Sequence, residues 1–157
     1  MQDELVLIAP PAFESVRLSR GQFVASRLLM REHGSGSRHV VEMALENAGF
    51  RLKSFKNVMN LDSTEAIKSA VEVGLGIGFV SRWAISKELE LGALKVAEVA
   101  GLSVMRHFSL IWPTGPEPLG PAGALRTFAL GRARLLAGTP PKPLRSGNSS
   151  STNSINR

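Results

Sequence analysis

Residues 23–49 read FVASRLLMREHGSGSRHVVEMALENAG, and the fold turns on how this stretch is parsed. The apolar-rich residues 23–30 lead into Gly34-Ser35-Gly36-Ser37, a loop whose glycines permit positive φ and a close approach of backbone to a guest. A helix is predicted next, over about residues 38–47. Val41, Ala44, Leu45 and Ala48 recur there at helical spacing, and Gly49 supplies the stop. The order then repeats. Residues 55–61 are a strand candidate. Asp62 opens a second helix, with Glu65 three residues on as its capping-box partner and Ala66, Ile67, Ala70 and Val71 on one stripe that ends at Gly74. Residues 76–81 form a short, apolar, glycine-spaced strand, residues 83–91 a short helix stopped by Gly92, and residues 94–99 another strand. Strands separated by helices of this length predict βαβ units, an α/β class and a mainly parallel sheet.

Outward from this centre the pattern thins. Residues 5–8 (LVLI) are a continuous apolar run ended by Pro10-Pro11, which suits a strand buried on both faces. In residues 106–112, Phe108, Leu110 and Trp112 alternate with polar or small neighbours, as in a strand. A proline- and glycine-rich loop over residues 113–121 precedes a last helix, about residues 122–137. It should turn Leu125, Phe128, Ala129 and Leu136 toward a core and Arg126, Arg132 and Arg134 toward water. The first strand has little chain before it. The expectation is therefore one complete α/β unit, about residues 23–105, flanked by two pieces of a second unit that lacks its start. Residues 138–157 contain only Leu144 and Ile155 as large apolar residues and are expected to be disordered.

Composition narrows the chemistry. The chain has 157 residues, 43% hydrophobic and 20% charged, and no cysteine, which removes disulfides, Cys-ligated zinc and thiol catalysis. No apolar run approaches the roughly 20 residues of a membrane span. The acidic start Asp3-Glu4 is unlike a signal peptide, so export is not expected and a cytoplasmic location is. The net charge of +6 is unevenly placed: residues 1–105 carry 12 basic and 12 acidic residues, and residues 106–157 carry seven basic residues against Glu117. A neutral body does not present a phosphate-backbone face, and the basic tail reads as a solubilising one.

Three segments could carry chemistry. In residues 31–38 (REHGSGSR), the following helix aims its free N–H groups and positive dipole end at the loop, Ser35 and Ser37 add hydroxyls, and Arg38 adds charge. That is a socket for a carboxylate, sulfate or phosphate, with Arg38 beside the anion or paired with Glu32. The plain alternative is a strand-to-helix turn capped by Ser35 or Ser37. Asp62-Ser63-Thr64-Glu65 is a second helix start, read as a cap by Asp62 or Ser63, or as hydroxyls facing the same cleft. Gly74-Leu75-Gly76-Ile77-Gly78 follows a helix and enters a strand, the reverse of a dinucleotide loop, and reads as a helix stop plus close packing. His33, His39 and His107 have no acid or nucleophile at a diagnostic spacing, and no metal-binding or hydrolase motif occurs, so no catalytic residue, metal or cofactor is assigned.

The strings REHGSGSR (31–38), LENAGF (45–50), STEAIKSAVEVGLGIGFVS (63–81) and ELELGALKV (88–96), in this order over residues 5–128, resemble the effector-binding (substrate-binding) domain of LysR-type transcriptional regulators. The resemblance implies a bacterial regulator, usually oligomeric, whose helix-turn-helix binds operator DNA. It implies a type II periplasmic-binding-protein-like fold in which a small, usually anionic effector binds between two lobes. Carried onto this chain, the effector-binding positions are Gly34, Ser35, Gly36, Ser37 and Arg38, and less directly Ser63 and Thr64. The lobes would divide as residues 1–21 (part of a first lobe, strand and hinge), 22–105 (the second lobe), 106–137 (return strand and helix of the first lobe) and 138–157 (the tail). Specific operator binding is not expected of this chain alone, nor is a membrane partner. The rival readings are a solute-binding protein of a transporter and an anion-binding enzyme on a similar two-lobed fold.

Overall fold

The computed structural model describes residues 2–112 and 114–137, so the expectation of disorder for residues 138–157 lies outside the described residues. The chain divides into two compact units, Gln2–Ile111 and a second that begins at Trp112.

The first unit is built on one sheet. Its strands are β1 (Gln2–Ala9), β2 (Arg17–Leu18), β3 (Arg27–Arg31), β4 (Asn57–Leu61), β5 (Ile77–Ser81), β6 (Lys95–Val99) and β7 (Met105–His107). They lie in the order β2-β6-β1-β5-β3-β4, with β7 paired to β1. The βαβ units read from the sequence appear as parallel pairs, β3 with β4 and β3 with β5, and β2 is also parallel to β6. β1 runs against all three of its neighbours, β5, β6 and β7.

β1 corrects the expected lobe boundaries. Residues 5–8 were assigned to an incomplete first lobe, yet they are the middle strand of the sheet formed by residues 22–105. Val6 faces Val80 across one edge and Ile8 faces Val96 across the other. The physical reason is that the short helical connection between β5 and β6 does not bring those strands side by side. Without β1 each would expose an unpaired inner edge in the middle of the sheet. β7 likewise belongs to this unit through Asp3↔Arg106. It is shorter than the strand expected over residues 106–112, and residues 108–112 are irregular.

Two apolar layers cover the sheet, as the alternation of a doubly buried strand requires. Leu5, Leu7 and Ala9 of β1 join Phe23, Leu28, Val41, Leu45, Phe50 and Phe79 on one face, and Val6 and Ile8 join Leu29, Ile67, Val71 and Ile85 on the other. The helix α1 (Arg20–Ala25), absent from the sequence reading, puts Phe23 edge-on to Phe50, Phe55 and Phe79 at centroid distances of 5.1, 5.0 and 6.4 Å. Its start is a capping box between Ser19 and Gln22, a spacing visible in the sequence. α2 (Gly36–Asn47) packs on that face and α3 (Thr64–Glu72) on the other. The glycines of β5 serve close packing, as expected: a Cβ on Gly78 would meet Ile67 Cγ2 at 2.8 Å. A 3₁₀ turn (Arg82–Ile85) and α4 (Ser86–Glu90) replace the single short helix expected there.

The second unit contains α5 (Gly120–Ala137). Here the expectation of a buried stripe is corrected: Leu125 and Phe128 are 66% and 64% exposed. Arg126 bonds Glu117 at 2.6 Å and lies 4.6 Å over the Trp112 ring.

Candidate functional site

Because β3, β4 and β5 are parallel, their carboxyl ends share one end of the sheet, and the starts of α2 and α3 follow from two of them. The antiparallel β1 brings Asp3 and Glu4 to the same end, and β7 brings Arg106. Ligands of open α/β sheets bind at such an end.

The loop turns at Gly34, whose φ of 91° suits a residue without a Cβ. Ser35 is the N-cap of α2, its Oγ accepting the Arg38 N–H at 3.5 Å. The amides of Gly36 and Ser37, the first two of the helix, have no intrahelical acceptor. Ser37 Oγ accepts from Arg106 Nη1 at 2.8 Å. Arg106 is itself gripped by Asp3, whose Oδ2 is 2.7 Å from both Nε and Nη2. The Asp3 side chain is fully buried, and its Oδ1 accepts from Ser81 Oγ at 2.9 Å. Alongside, Arg82 donates to Glu4 at 2.7 Å.

The expected pairing of Arg38 with Glu32 is not formed. It is 5% exposed and turned inward. Nε donates to Glu42 and Nη1 to both the Arg31 carbonyl and Asn60 Oδ1, each at 2.7 Å. It ties α2 to β3 and β4, and its charge is neutralised by Glu42 rather than by Glu32. The reason is visible in the periodicity: Arg38 shares a stripe with Val41 and Leu45. Glu32 instead takes two hydrogen bonds from Arg31, at 2.7 and 2.9 Å, which hold its carboxyl below the usual range and raise the Arg31 guanidinium.

At the second helix start, Ser63 is the cap, accepting from the Ala66 N–H at 3.1 Å. The expected capping-box role of Glu65 is corrected: it sits at the second helical position and pairs with Lys68 at 3.0 Å. Thr64 Oγ1 accepts a long bond, 3.4 Å, from Arg31 Nη1. The structure thus brings Gly34–Ser37 together with Arg106 and Asp3, links Thr64 to the loop through Arg31, and leaves Ser63 as a cap. Arg106 and Asp3 were missed because their partners lie 69 and 103 residues apart in the chain. No local spacing carries such a signal.

Among the described residues, no group of His, Asp and Glu is arranged to hold a metal, and no helix is long and apolar enough to cross a membrane.

Comparison with known proteins agrees with this architecture. The pattern of the LysR substrate binding domain matches residues 1–134. The "Phosphonates import ATP-binding protein PhnC" of Anaeromyxobacter dehalogenans (strain 2CP-C) is 38% identical over 130 residues, 82% of this chain and 26% of that protein. The RuBisCO operon transcriptional regulator of Allochromatium vinosum is 35% identical over 141 residues, 85% of this chain and 44% of that protein. The chain therefore spans less than half the length of these curated relatives. Among solved structures, the regulatory domain of Synechocystis PCC6803 CcmR in complex with 2-PG superposes with a TM-score of 0.61 at 20% identity, covering 90% of this chain and 66% of that one.

Proposed function

From the premise that the chain belongs to the LysR substrate-binding-domain family, we propose that it is the effector-sensing part of a transcriptional regulator, and that its effector is a small anion held at the start of α2. The observation that carries this reading is the α2 start itself. The amides of Gly36 and Ser37 point out of the helix end, and the hydroxyls of Ser35 and Ser37 stand beside them. Gly34 and Gly36 leave room, since a Cβ on either would meet nothing within 4 Å. Thr64 is joined to the loop segment only through Arg31, and Ser63 serves as the cap of α3. Arg38 acts as a strut beneath it rather than as a ligand. A positive helix end with flanking hydroxyls stabilises a bound oxyanion, as a sensor of small anions requires. In the whole regulator the effector would act by binding one arrangement of the protein better than another, with operator DNA contacted by a separate domain. The name of the phosphonate-import relative supports testing phosphate and phosphonates first.

The test is a titration of the chain with inorganic phosphate, methylphosphonate and sulfate, followed by the amide shifts of Gly36 and Ser37. At least one should move these two signals saturably, and Ser37→Ala should weaken that binding about fivefold, the worth of about one hydrogen bond, while the chain stays folded with a modest loss of stability from the missing Arg106 bond. Shifts confined to other parts of the chain, or turnover of a substrate, would overturn the proposal.

A further inference from the structure

We infer that the free edge of β4 is a self-recognition surface, on which a second copy of this chain adds its own β4 antiparallel, so that two sheets join across a two-fold axis through Met59. The inference concerns the sheet edge and does not depend on an anion at α2.

The argument begins with the backbone. β4 is the last strand of the sheet order and pairs only with β3, in parallel register along all five of its residues. The N–H and C=O groups of successive residues in a strand point to opposite sides. Those of β4 that turn away from β3 have no backbone partner among the described residues. The edge is open to solvent: Asn57, Met59 and Asn60 are exposed, Met59 to 41%.

Proteins ordinarily blunt such an edge with a lysine, a proline, a bulge or a very short strand. The other margins of this sheet follow that rule. β2 is two residues long and carries Arg17, which pairs with Glu98 at 3.7 Å. β7 is three residues long. β4 has five residues, with no charge, no proline and no break in its register. The charges stand just outside it, Lys56 before and Asp62 after, and both are exposed. Neither forms an ion pair among the described residues.

Those two charges select the partner and its direction. Antiparallel pairing of two β4 strands about Met59 sets Val58 against Asn60, Asn57 against Leu61, and Lys56 against Asp62 at both ends of the ladder. Each residue meets one of the same alternation, so groups that point outward on one copy meet groups that point outward on the other. About four to six backbone hydrogen bonds form in this way. A parallel arrangement would instead bring lysine beside lysine and aspartate beside aspartate, which is unfavourable. The contact is isologous and uses the one long unprotected edge, so it closes at two copies rather than growing into a filament. A strand edge of this length buries less than the roughly 1,200 Å² of a standard interface, and the dimer is therefore reversible and dependent on concentration.

The test is sedimentation equilibrium of the full chain from about 10 µM to about 1 mM, without added anion ligand, together with amide exchange of residues 57–61. The unaltered chain should pass from monomer to dimer across that range, and exchange at the outward amides of β4 should slow as the dimer forms. Lys56→Glu alone and Asp62→Lys alone each set like charges together at both ends and should weaken self-association about tenfold. Mixed in equal amounts, the two variants regain both attractive pairs and should associate with each other as tightly as the unaltered chain does with itself. Met59→Lys, which places two ammonium groups at the two-fold axis, should leave a folded monomer. These side chains are exposed, so the variants keep the fold, and circular dichroism checks that they do. A chain that stays monomeric over the whole range overturns the inference. So does a dimer that ignores the charge reversals, or a mixture of the two variants that does not recover.

Discussion

The starts of α2 and α3 look alike in sequence, and their surroundings make them different. Each follows a parallel strand and is capped by a serine, Ser35 in one and Ser63 in the other. At α3 the local polar groups are consumed by the fold. Ser63 caps at 3.1 Å, Thr64 accepts from Arg31, and the buried Lys68 gathers Glu65, Glu88 and the Ala84 carbonyl at 3.0, 2.6 and 3.0 Å. At α2 the helix's own cation is withdrawn into the interior, and a second arginine from a distant strand reaches the next hydroxyl along. A serine cap is thus no evidence of a site. What distinguishes the two is the set of side chains delivered by the rest of the sheet.

The strongest way to break this comparison is Arg38→Ala. If Arg38 is the strut described here, its loss leaves Glu42, Asn60 and the Arg31 carbonyl without their donor. That should cost about 3 kcal/mol in urea denaturation, toward the lower end for a severed buried pair because Glu42 is partly exposed. A variant of unchanged stability that no longer binds anions would return Arg38 to the effector site.

A smaller effect is expected at α3. The hydrogen bond from Lys68 holds the Glu88 carboxyl below its usual range. For Lys68, burial works to lower the value, but the bonds to Glu88 and Glu65 outweigh it and leave it raised. A carboxyl depressed by folding contributes stability above its unfolded value, roughly 4.3, and loses it as the pH falls through the lower folded value. Glu88→Gln should therefore cost about 1 kcal/mol near neutrality, and the gap from the unaltered chain should close on acidification toward pH 3. A gap of constant size would show that Glu88 acts by packing.

The smallest effects sharpen the comparison of the caps. Ser63→Ala should lose about 1 kcal/mol. Ser35→Ala should lose less, since its capping bond is 3.5 Å against 3.1 Å. Only changes on the α2 side should alter anion binding. Paired thermal melts and amide titrations check both halves of that statement.

The helical stripes of α2 and α3, the doubly buried character of β1 and the packing role of the β5 glycines could all be read from residue order, because each depends on neighbours within a few positions. Two further features have local signals of their own: the Ser19/Gln22 capping box that starts α1, and the stripe that puts Arg38 on the inward face with Val41 and Leu45. Partners are another matter. The sequence does not reveal the partners of β1, because an apolar run states that a strand is buried, and not between which strands. Arg106 was passed over because nothing around it in the chain mentions Ser37 or Asp3.

Local chemistry alone thus determined the α/β class, the loop that opens α2 and the family pattern that runs through them. Only the tertiary structure decided that β1 lies between β5 and β6, that Arg38 is buried against Glu42, Asn60 and the Arg31 carbonyl, and that Arg106 reaches Ser37. The division follows from physics: backbone periodicity and capping act over one or two helical turns, whereas strand pairing and buried ion pairs join groups that the chain holds far apart until it folds.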